Sequence, residues 1–169
     1  MNRLALAFSL LVSSSALAGG SSSPEKTVND FYTWEIHGPF GSDRRLLGPV
    51  RHLLTKELDA LMTATDNYQD ACRKLVPPDT KPWILDGDPW YYYSSDSARA
   101  IDGAELVVAS ENSARVAAHL RYDDEFKWTD TVVLSKSGNS WRIADIRFQQ
   151  GGGLIQSLRA YFSRACGRK

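Results

Sequence analysis

The amino-acid sequence predicts an α+β domain in which N-terminal helices pack on a curved, cone-like antiparallel sheet of four or more strands, followed by a C-terminal helix. Apolar residues recur at steps of three and four in the first half of the chain, and at steps of two between residues 104 and 148. Short polar turns separate the segments with a period of two, which is typical of consecutive antiparallel strands. Helices followed by such a sheet define the α+β class.

The first helix is predicted from its cap. Ser23 can accept hydrogen bonds from free backbone amides, Pro24 suits the first turn, and Gly38 interrupts the apolar stripe that follows. A second, longer amphipathic helix is predicted from its cap at Thr55 to about Leu75, where two prolines end it.

The second half of the chain predicts four strands and a last helix. The strands are expected at 104–110, 114–122, 128–136 and 140–148. The three glycines at 151–153 are then followed by a predicted helix with an apolar stripe. The two cysteines, Cys72 and Cys166, lie near the ends of the long helix and the last helix. An intramolecular disulfide is expected in an exported protein, the alternatives being two buried thiols or an intermolecular bridge.

The chain begins with the pattern of an export signal. Arg3 precedes an apolar run at 4–12, and Ala16-Leu17-Ala18 has the small-x-small form of a cleavage site. The alternative is a short buried helix. The predicted organisation is a signal peptide, a flexible leader and a single domain, at residues 1–18, 19–23 and 24–169. No cysteine follows the apolar run, so we expect a periplasmic or secreted protein and not a lipoprotein.

Composition argues against several classes of function. The chain has 20 Lys and Arg residues against 20 Asp and Glu residues, so it lacks the basic excess of a nucleic-acid-binding domain. No later segment approaches the ~20 apolar residues of a membrane-spanning helix. We therefore expect neither nucleic-acid binding nor a membrane span, and a monomer or a homodimer.

The segment DGDPWYYYSSD at 86–96 is the most unusual stretch of the chain. An EF-hand needs a glycine at position six and a glutamate at position twelve, but the chain has Tyr91 and Ser97 there. An irregular calcium site on the three aspartates is an alternative to a simple turn in which aspartates accept backbone amides. The histidines are scattered without the spacing of zinc ligands, so no metal and no cofactor is predicted.

The aromatic residues of this segment are candidates for binding. In extended backbone, alternation would send Tyr91 and Tyr93 to one side and Trp90 and Tyr92 to the other. One side would complete the rim of the core, and the other would meet solvent, a ligand or a partner. The predicted binding residues are Trp90, Tyr91, Tyr92, Tyr93, Asp96, Arg99 and Asp145.

Two polar residues in the strands need partners or exposure. His119 alternates away from its apolar neighbours and is expected on the outer face of the sheet. Asp145 follows Ile143 by two positions and should face inside, unless a bulge resets the alternation. Since an unpaired buried charge is costly, an inward Asp145 would need a partner such as Arg99 or a tyrosine hydroxyl.

Two features resemble a known superfamily. Phe31-Tyr32-x-Trp34 and the closing hairpin LSKSGNSWRIADIRF at 134–148 resemble the nuclear transport factor 2-like superfamily, a cone-shaped α+β fold with a pocket between sheet and helices. The D-x-D-P-aromatic segment from Asp86, with the later Asp96, is similar to a bacterial exported family catalogued as domain of unknown function 3828. The resemblance implies the fold but no single reaction, because the superfamily contains isomerases, dehydratases, binding proteins and assembly modules.

The leading interpretation is an exported, non-enzymatic binding module that holds a small molecule or a protein segment at the open end of the cone. A periplasmic immunity or accessory protein is one version. The alternative is a small isomerase, dehydratase or hydrolase, in which Asp96 or Asp145 works with a tyrosine or His119 in the pocket. A third interpretation is a structural module that dimerises through the outer face of the sheet.

Overall fold

The computed structural model describes residues 22–38, 48–77, 89–91, 97–163 and 166. The predicted signal peptide and most of the 86–96 segment lie outside these residues. Helix α1 (Pro24–His37) is followed by a single 3-10 turn (Arg51–Leu53), helix α2 (Lys56–Arg73), four strands and helix α3 (Leu154–Tyr161). The predicted α+β class and order of elements are confirmed.

Both predicted caps start their helices. The Ser23 hydroxyl oxygen accepts a hydrogen bond from the Lys26 amide at 3.2 Å, and Pro24 occupies the first turn of α1. The Thr55 hydroxyl oxygen likewise accepts from the Leu58 amide at 3.2 Å at the start of α2. Each bond satisfies an amide that the helix itself leaves without an acceptor.

The four strands form one antiparallel sheet in the order β1-β2-β3-β4, so β1 and β4 are its edges. Their bounds are Ala100–Ala109, Ser113–Arg121, Lys127–Ser137 and Ser140–Arg147. The tight turn before β4 has Gly138 at φ 60°, a left-handed conformation that glycine adopts without strain. Strand β1 begins earlier than predicted, because a register shift between Ile101 and Gly103 interrupts the alternation that the sequence pattern relies on.

The core lies between the helices and one face of the sheet, which we call the inner face. Strand residues on this face include Val116, Val132, Leu134 and Ile143, all of them fully buried. Helix α1 contacts β1, β2 and β4, whereas α2 and α3 contact each other and β4. The largest fully buried helix side chains are Phe31, Tyr32, Leu58, Met62, Leu154 and Leu158.

A disulfide joins the ends of the helical layer. Cys72 in α2 is bonded to Cys166, which follows α3, and their Cα atoms lie 5.0 Å apart. The pairing predicted from the two cysteines is therefore present. Within the described part of the chain, no helix is long and apolar enough to cross a membrane.

Candidate functional site

Trp90 and Tyr91, the two predicted binding residues that open the aromatic run, are both buried in the core. The Trp90 ring packs edge-on against Phe31, with ring centroids 4.9 Å apart. Tyr91 contacts Tyr32 and Trp128, at 6.2 and 6.1 Å between centroids. The prediction that neighbouring rings face opposite sides is wrong for this pair, because residues 89–91 form a turn and not an extended strand. Tyr92, Tyr93 and Asp96 lie outside the described residues.

The Tyr91 hydroxyl has a carboxylate partner on α1. It donates a hydrogen bond to Glu35 Oε2, one turn beyond Phe31 and Tyr32 on the same helix. A buried tyrosine normally needs such an acceptor for its hydroxyl. Tyr91 thereby ties the turn at 89–91 to α1, and this contact favours the core-rim interpretation of the segment over direct ligand contact.

Arg99 and Asp145, predicted as partners, have separate environments. The guanidinium of Arg99 lies over the Tyr122 ring, 3.9 Å from its centroid, and also donates to the Tyr122 hydroxyl. Asp145 instead pairs with Arg147, whose Nε is 2.9 Å from Asp145 Oδ2. The expected partnership of Asp145 with Arg99 or a tyrosine hydroxyl is therefore wrong, although Asp145 is buried.

A bulge turns Asp145 away from the inner face. Val133 pairs with Asp145, whereas the next residue, Leu134, pairs with Ile143, so Ala144 is an extra residue in β4. Directly opposed residues share a face of the sheet, and Asp145 therefore lies on the outer face with Val133. The alternative of a bulge, left open by the sequence, is the one that the structure adopts.

Asp145 is covered by the start of α3. Its Oδ1 accepts from the amides of Ile146 and Ile155, each at 3.0 Å. Gly153 passes close to it: a Cβ at that position would lie 3.0 Å from the Ile146 carbonyl oxygen and 3.4 Å from Asp145 Oδ2. Since Asp145 satisfies the first turn of α3 and a neighbouring cation, its contacts are those of a structural carboxylate.

Asp130 is a buried carboxylate that sequence reasoning missed. It lies on the inner face of β3, in phase with Trp128 and Val132, and its side chain is fully buried. Trp128 Nε1 donates to Oδ2 at 3.1 Å, and the Gln149 amide donates to Oδ1 at 2.9 Å. The alternation Trp128-x-Asp130-x-Val132 was the available signal, because it places an acid in an apolar row.

The environment of Asp130 favours its neutral form. Burial raises the pKa of this carboxyl to about 6, although the hydrogen bonds from the Gln149 amide and the Trp128 indole act to lower it. A carboxyl with such a pKa is a standard candidate for acid–base catalysis. Both oxygens are nevertheless engaged by the protein and the side chain is sealed from solvent, so Asp130 offers no open position to a substrate.

His119 lies on the outer face, as predicted. Its Nδ1 is 3.0 Å from the Thr129 hydroxyl, and its Nε2 is 3.7 Å from a carboxylate oxygen of Glu105. The side chain is thus on the opposite face of the sheet from Asp130 and cannot form an acid–base pair with it. Among the described residues no cluster of three or more His, Cys, Asp and Glu side chains is placed to hold a metal ion.

The second half of β1 exposes an apolar surface. Leu106, Val107 and Val108 are 39%, 61% and 52% exposed, although each belongs to a residue type that is usually buried. We call these three residues the β1 apolar end. Ile101 and Ala104, earlier in the strand, are partly buried and pack against the core. Helix α1 contacts β1, and the exposed apolar residues are confined to the second half of the strand.

A register shift shapes this surface. Leu106 pairs with Val116, but Val108 pairs with Arg115, which makes Val107 an extra residue on the edge strand. Such a bulge breaks the strict alternation of faces. Leu106 belongs with the inner row and Val108 with the outer row, so the β1 apolar end presents apolar side chains on both sides of the sheet.

Comparisons with models of protein families, with curated proteins and with solved structures found no match to this chain. The candidate site is therefore argued from its own geometry. Of the two candidates, the aromatic cluster around Tyr91 and Asp130 is internal, and the β1 apolar end is accessible.

Proposed function

We propose that this chain is an exported, non-enzymatic binding module whose partner is a protein, bound through the β1 apolar end. The observation that carries the proposal is the exposure of three consecutive large apolar residues, Leu106, Val107 and Val108, on an edge strand. Contiguous exposed apolar side chains are typical of protein–protein contact sites. No described segment pairs with the outer side of β1, and an edge strand offers backbone groups that a partner can engage.

The proposed binding surface is the β1 apolar end and not the aromatic rings of the 86–96 segment. Trp90 and Tyr91 contribute to the core, so their burial argues for a structural role in holding α1 against the sheet. An immunity or accessory protein of an exported system is a concrete version of the proposed function, since such proteins act by occupying a partner's surface. Export itself rests on the pattern at residues 1–18, and the disulfide is compatible with an oxidising compartment.

Asp130 is a described carboxyl with a clearly raised pKa, and an enzyme alternative would use it as the acid–base group. An acid–base catalyst must be within hydrogen-bonding reach of the reacting proton. Both carboxylate oxygens of Asp130 accept hydrogen bonds, from Trp128 and Gln149, and the side chain has no exposed surface. We therefore favour a structural role for it.

Site-specific photo-crosslinking in the exporting cell tests the proposal. A photoreactive amino acid at Val107 is compared with one at Arg159, which is exposed on α3. We expect a discrete adduct, heavier than this chain by one partner protein, from position 107 only. Adding Leu106→Glu to the Val107 probe should remove the adduct, because a charge now lies in the apolar surface.

Two results would contradict the proposal. Absence of any discrete adduct at position 107, under conditions where the protein is folded and exported, would remove its basis. An adduct that contains two copies of this chain would support the dimer interpretation instead, and the partner would not be a different protein.

A further inference from the structure

The charges around the β1 apolar end restrict what can bind there. From Asp102 to Asn112 the chain contains three acidic residues and no lysine or arginine. Asp102 is paired with Arg121, whose Nε lies 2.6 Å from it. Glu105 and Glu111, on either side of the three apolar residues, are exposed. The accessible apolar surface is therefore bordered by carboxylates at both ends.

These two carboxylates have little local compensation. The side chain of Glu105 is 78% exposed, and its contact with a base is the 3.7 Å approach of His119 Nε2. Glu111 lies in the turn that follows β1. Two basic residues lie nearby: Arg115, which is exposed opposite Val108, and Lys136, whose amide donates to the Asn112 carbonyl oxygen. Among the described residues, neither forms an ion pair with Glu105 or Glu111. The acidic character is thus concentrated at the ends of the surface and not at its middle.

The open edge of β1 favours an extended occupant. Strand β1 pairs with β2 on one side, and no strand of the described chain pairs with its other side. The two register shifts leave a regular stretch from Gly103 to Leu106 between them. Bulges interrupt long edge-to-edge pairing, so an added strand would be short, on the order of four residues.

A second copy of this chain fits the surface poorly. If two β1 strands paired antiparallel along the regular stretch from Gly103 to Leu106, the exposed Glu105 of one copy would lie within two residues of Glu105 of the other. Like charges at such positions on paired strands are destabilising. The same carboxylates would attract a segment with basic ends.

We infer that the occupant of the β1 apolar end is a short extended segment of another protein, apolar in its middle and with Lys or Arg at its ends. This inference rests on the proposed function and specifies the partner's chemistry. Apolar side chains of the segment would contact Leu106, Val107 and Val108, while its basic ends would lie near Glu105 and Glu111. The partner's backbone would pair with the free edge of β1.

The test uses two synthetic peptides that differ only in the charge of their ends. The first is acetyl-Lys-Lys-Val-Thr-Val-Thr-Val-Lys-Lys-amide, and the second has Glu in place of every Lys. Each is titrated into the isotope-labelled chain, and amide chemical shifts are recorded. We expect changes at residues 103–109 and an affinity about 5- to 10-fold higher for the Lys peptide at low salt, because exposed ion pairs contribute modestly. The difference should shrink at high salt.

A matched pair of variants locates the charge effect. Glu105→Gln combined with Glu111→Gln should reduce the preference for the Lys peptide to within about two-fold. The control, Asp124→Asn combined with Glu125→Gln, removes the same charge from an exposed turn outside the β1 strand and should preserve the preference. Unchanged amide spectra for both variants would verify that they are folded.

The outcomes separate this inference from the proposed function. Equal binding of both peptides at 103–109, or an equal effect of both variant pairs, overturns the charge requirement and leaves the surface intact. If neither peptide shifts these amides while crosslinking at position 107 yields a protein adduct, the extended-segment inference is overturned alone. Failure of the crosslinking experiment removes the proposed function itself.

Discussion

The two edge strands of the sheet, β1 and β4, each contain a bulge, but the two bulges have different surroundings. On β4 the edge is covered: Leu54 forms a parallel bridge with Ile143, and Gly153 forms an antiparallel bridge with Arg147. On β1 no described segment bridges the free side, and the bulge lies among the exposed residues of the β1 apolar end.

This difference indicates that the structural role of a bulge depends on which segments of the chain cover it. On β4 it directs Asp145 towards the amide of Ile155 and the side chain of Arg147, so the irregularity becomes a set of stabilising contacts. On β1 it directs Leu106 and Val108 to different faces with solvent on both. We therefore expect changes at the covered edge to alter stability, and changes at the open edge to alter binding.

The largest expected effect concerns the disulfide of the helical layer, in which α2 and α3 both contact β4, the covered edge. Cys72 and Cys166 are 94 positions apart and hold together α2 and the segment after α3. Closing a loop of this length stabilises a folded chain by roughly 4 to 5 kcal/mol in the loop-entropy model. Urea unfolding of the oxidised and reduced wild-type chain, followed by tryptophan fluorescence, should show a loss of this size on reduction.

Comparing two redox states of the wild type avoids a substitution at Cys72, which is fully buried. Alkylation after native-state reduction gives the count of reduced thiols. Equal midpoints for the oxidised and reduced chains would mean that the helical layer needs no cross-link, and the covered edge would then owe its stability to packing and hydrogen bonds alone.

The next effect concerns Asp130, which lies between the two edges and lacks an ion pair among the described residues. Its pKa rises from 3.8 to about 6 on folding. The folded state therefore binds this proton more tightly than the unfolded state, so the contribution of Asp130 to stability is largest below about pH 4 and falls until about pH 6. This difference in pKa corresponds to a loss of roughly 3 kcal/mol in the free energy of unfolding.

Asp130→Asn should remove this dependence, because the amide does not titrate. Its overall stability can differ from that of the wild type, since the amide nitrogen replaces one acceptor of the Trp128 and Gln149 donors. The readout is therefore the slope of the unfolding free energy between pH 4 and pH 7. The same slope in the variant and the wild type would assign the pH dependence to other groups.

Much of the fold could be predicted because it depends on local chemistry. Ser23 and Thr55 cap helices in the way their side chains allow, and the alternation around Val116 and Leu134 follows from one buried face. The environment of Asp145 could not be predicted, because the sequence pattern does not show whether the strand contains a bulge. The site was harder to predict: alternation placed Trp90 and Tyr91 on opposite sides, with one of them open to solvent or a ligand, but both lie in the core.

Exposure of the β1 apolar end could not be predicted either, for a reason of geometry. Leu106, Val107 and Val108 have the composition of a central strand, and their sequence predicts burial. Their exposure depends on how the helices pack on the sheet, which a local sequence pattern does not show. Asp130 differs, since its place in an apolar row was visible in the sequence.

The smallest expected effects come from one substitution at each of the two bulges. Asp145→Ala at the covered edge removes the acceptor of the Ile146 and Ile155 amides and the partner of Arg147. We expect a loss of about 2 kcal/mol in the free energy of unfolding, mainly from buried amides left without an acceptor. Val107→Thr at the open edge keeps the shape of an exposed β-branched side chain, and its effect should stay within about 0.5 kcal/mol. Urea denaturation of both variants measures the contrast, and equal losses would show that the open edge contributes to the fold as the covered one does.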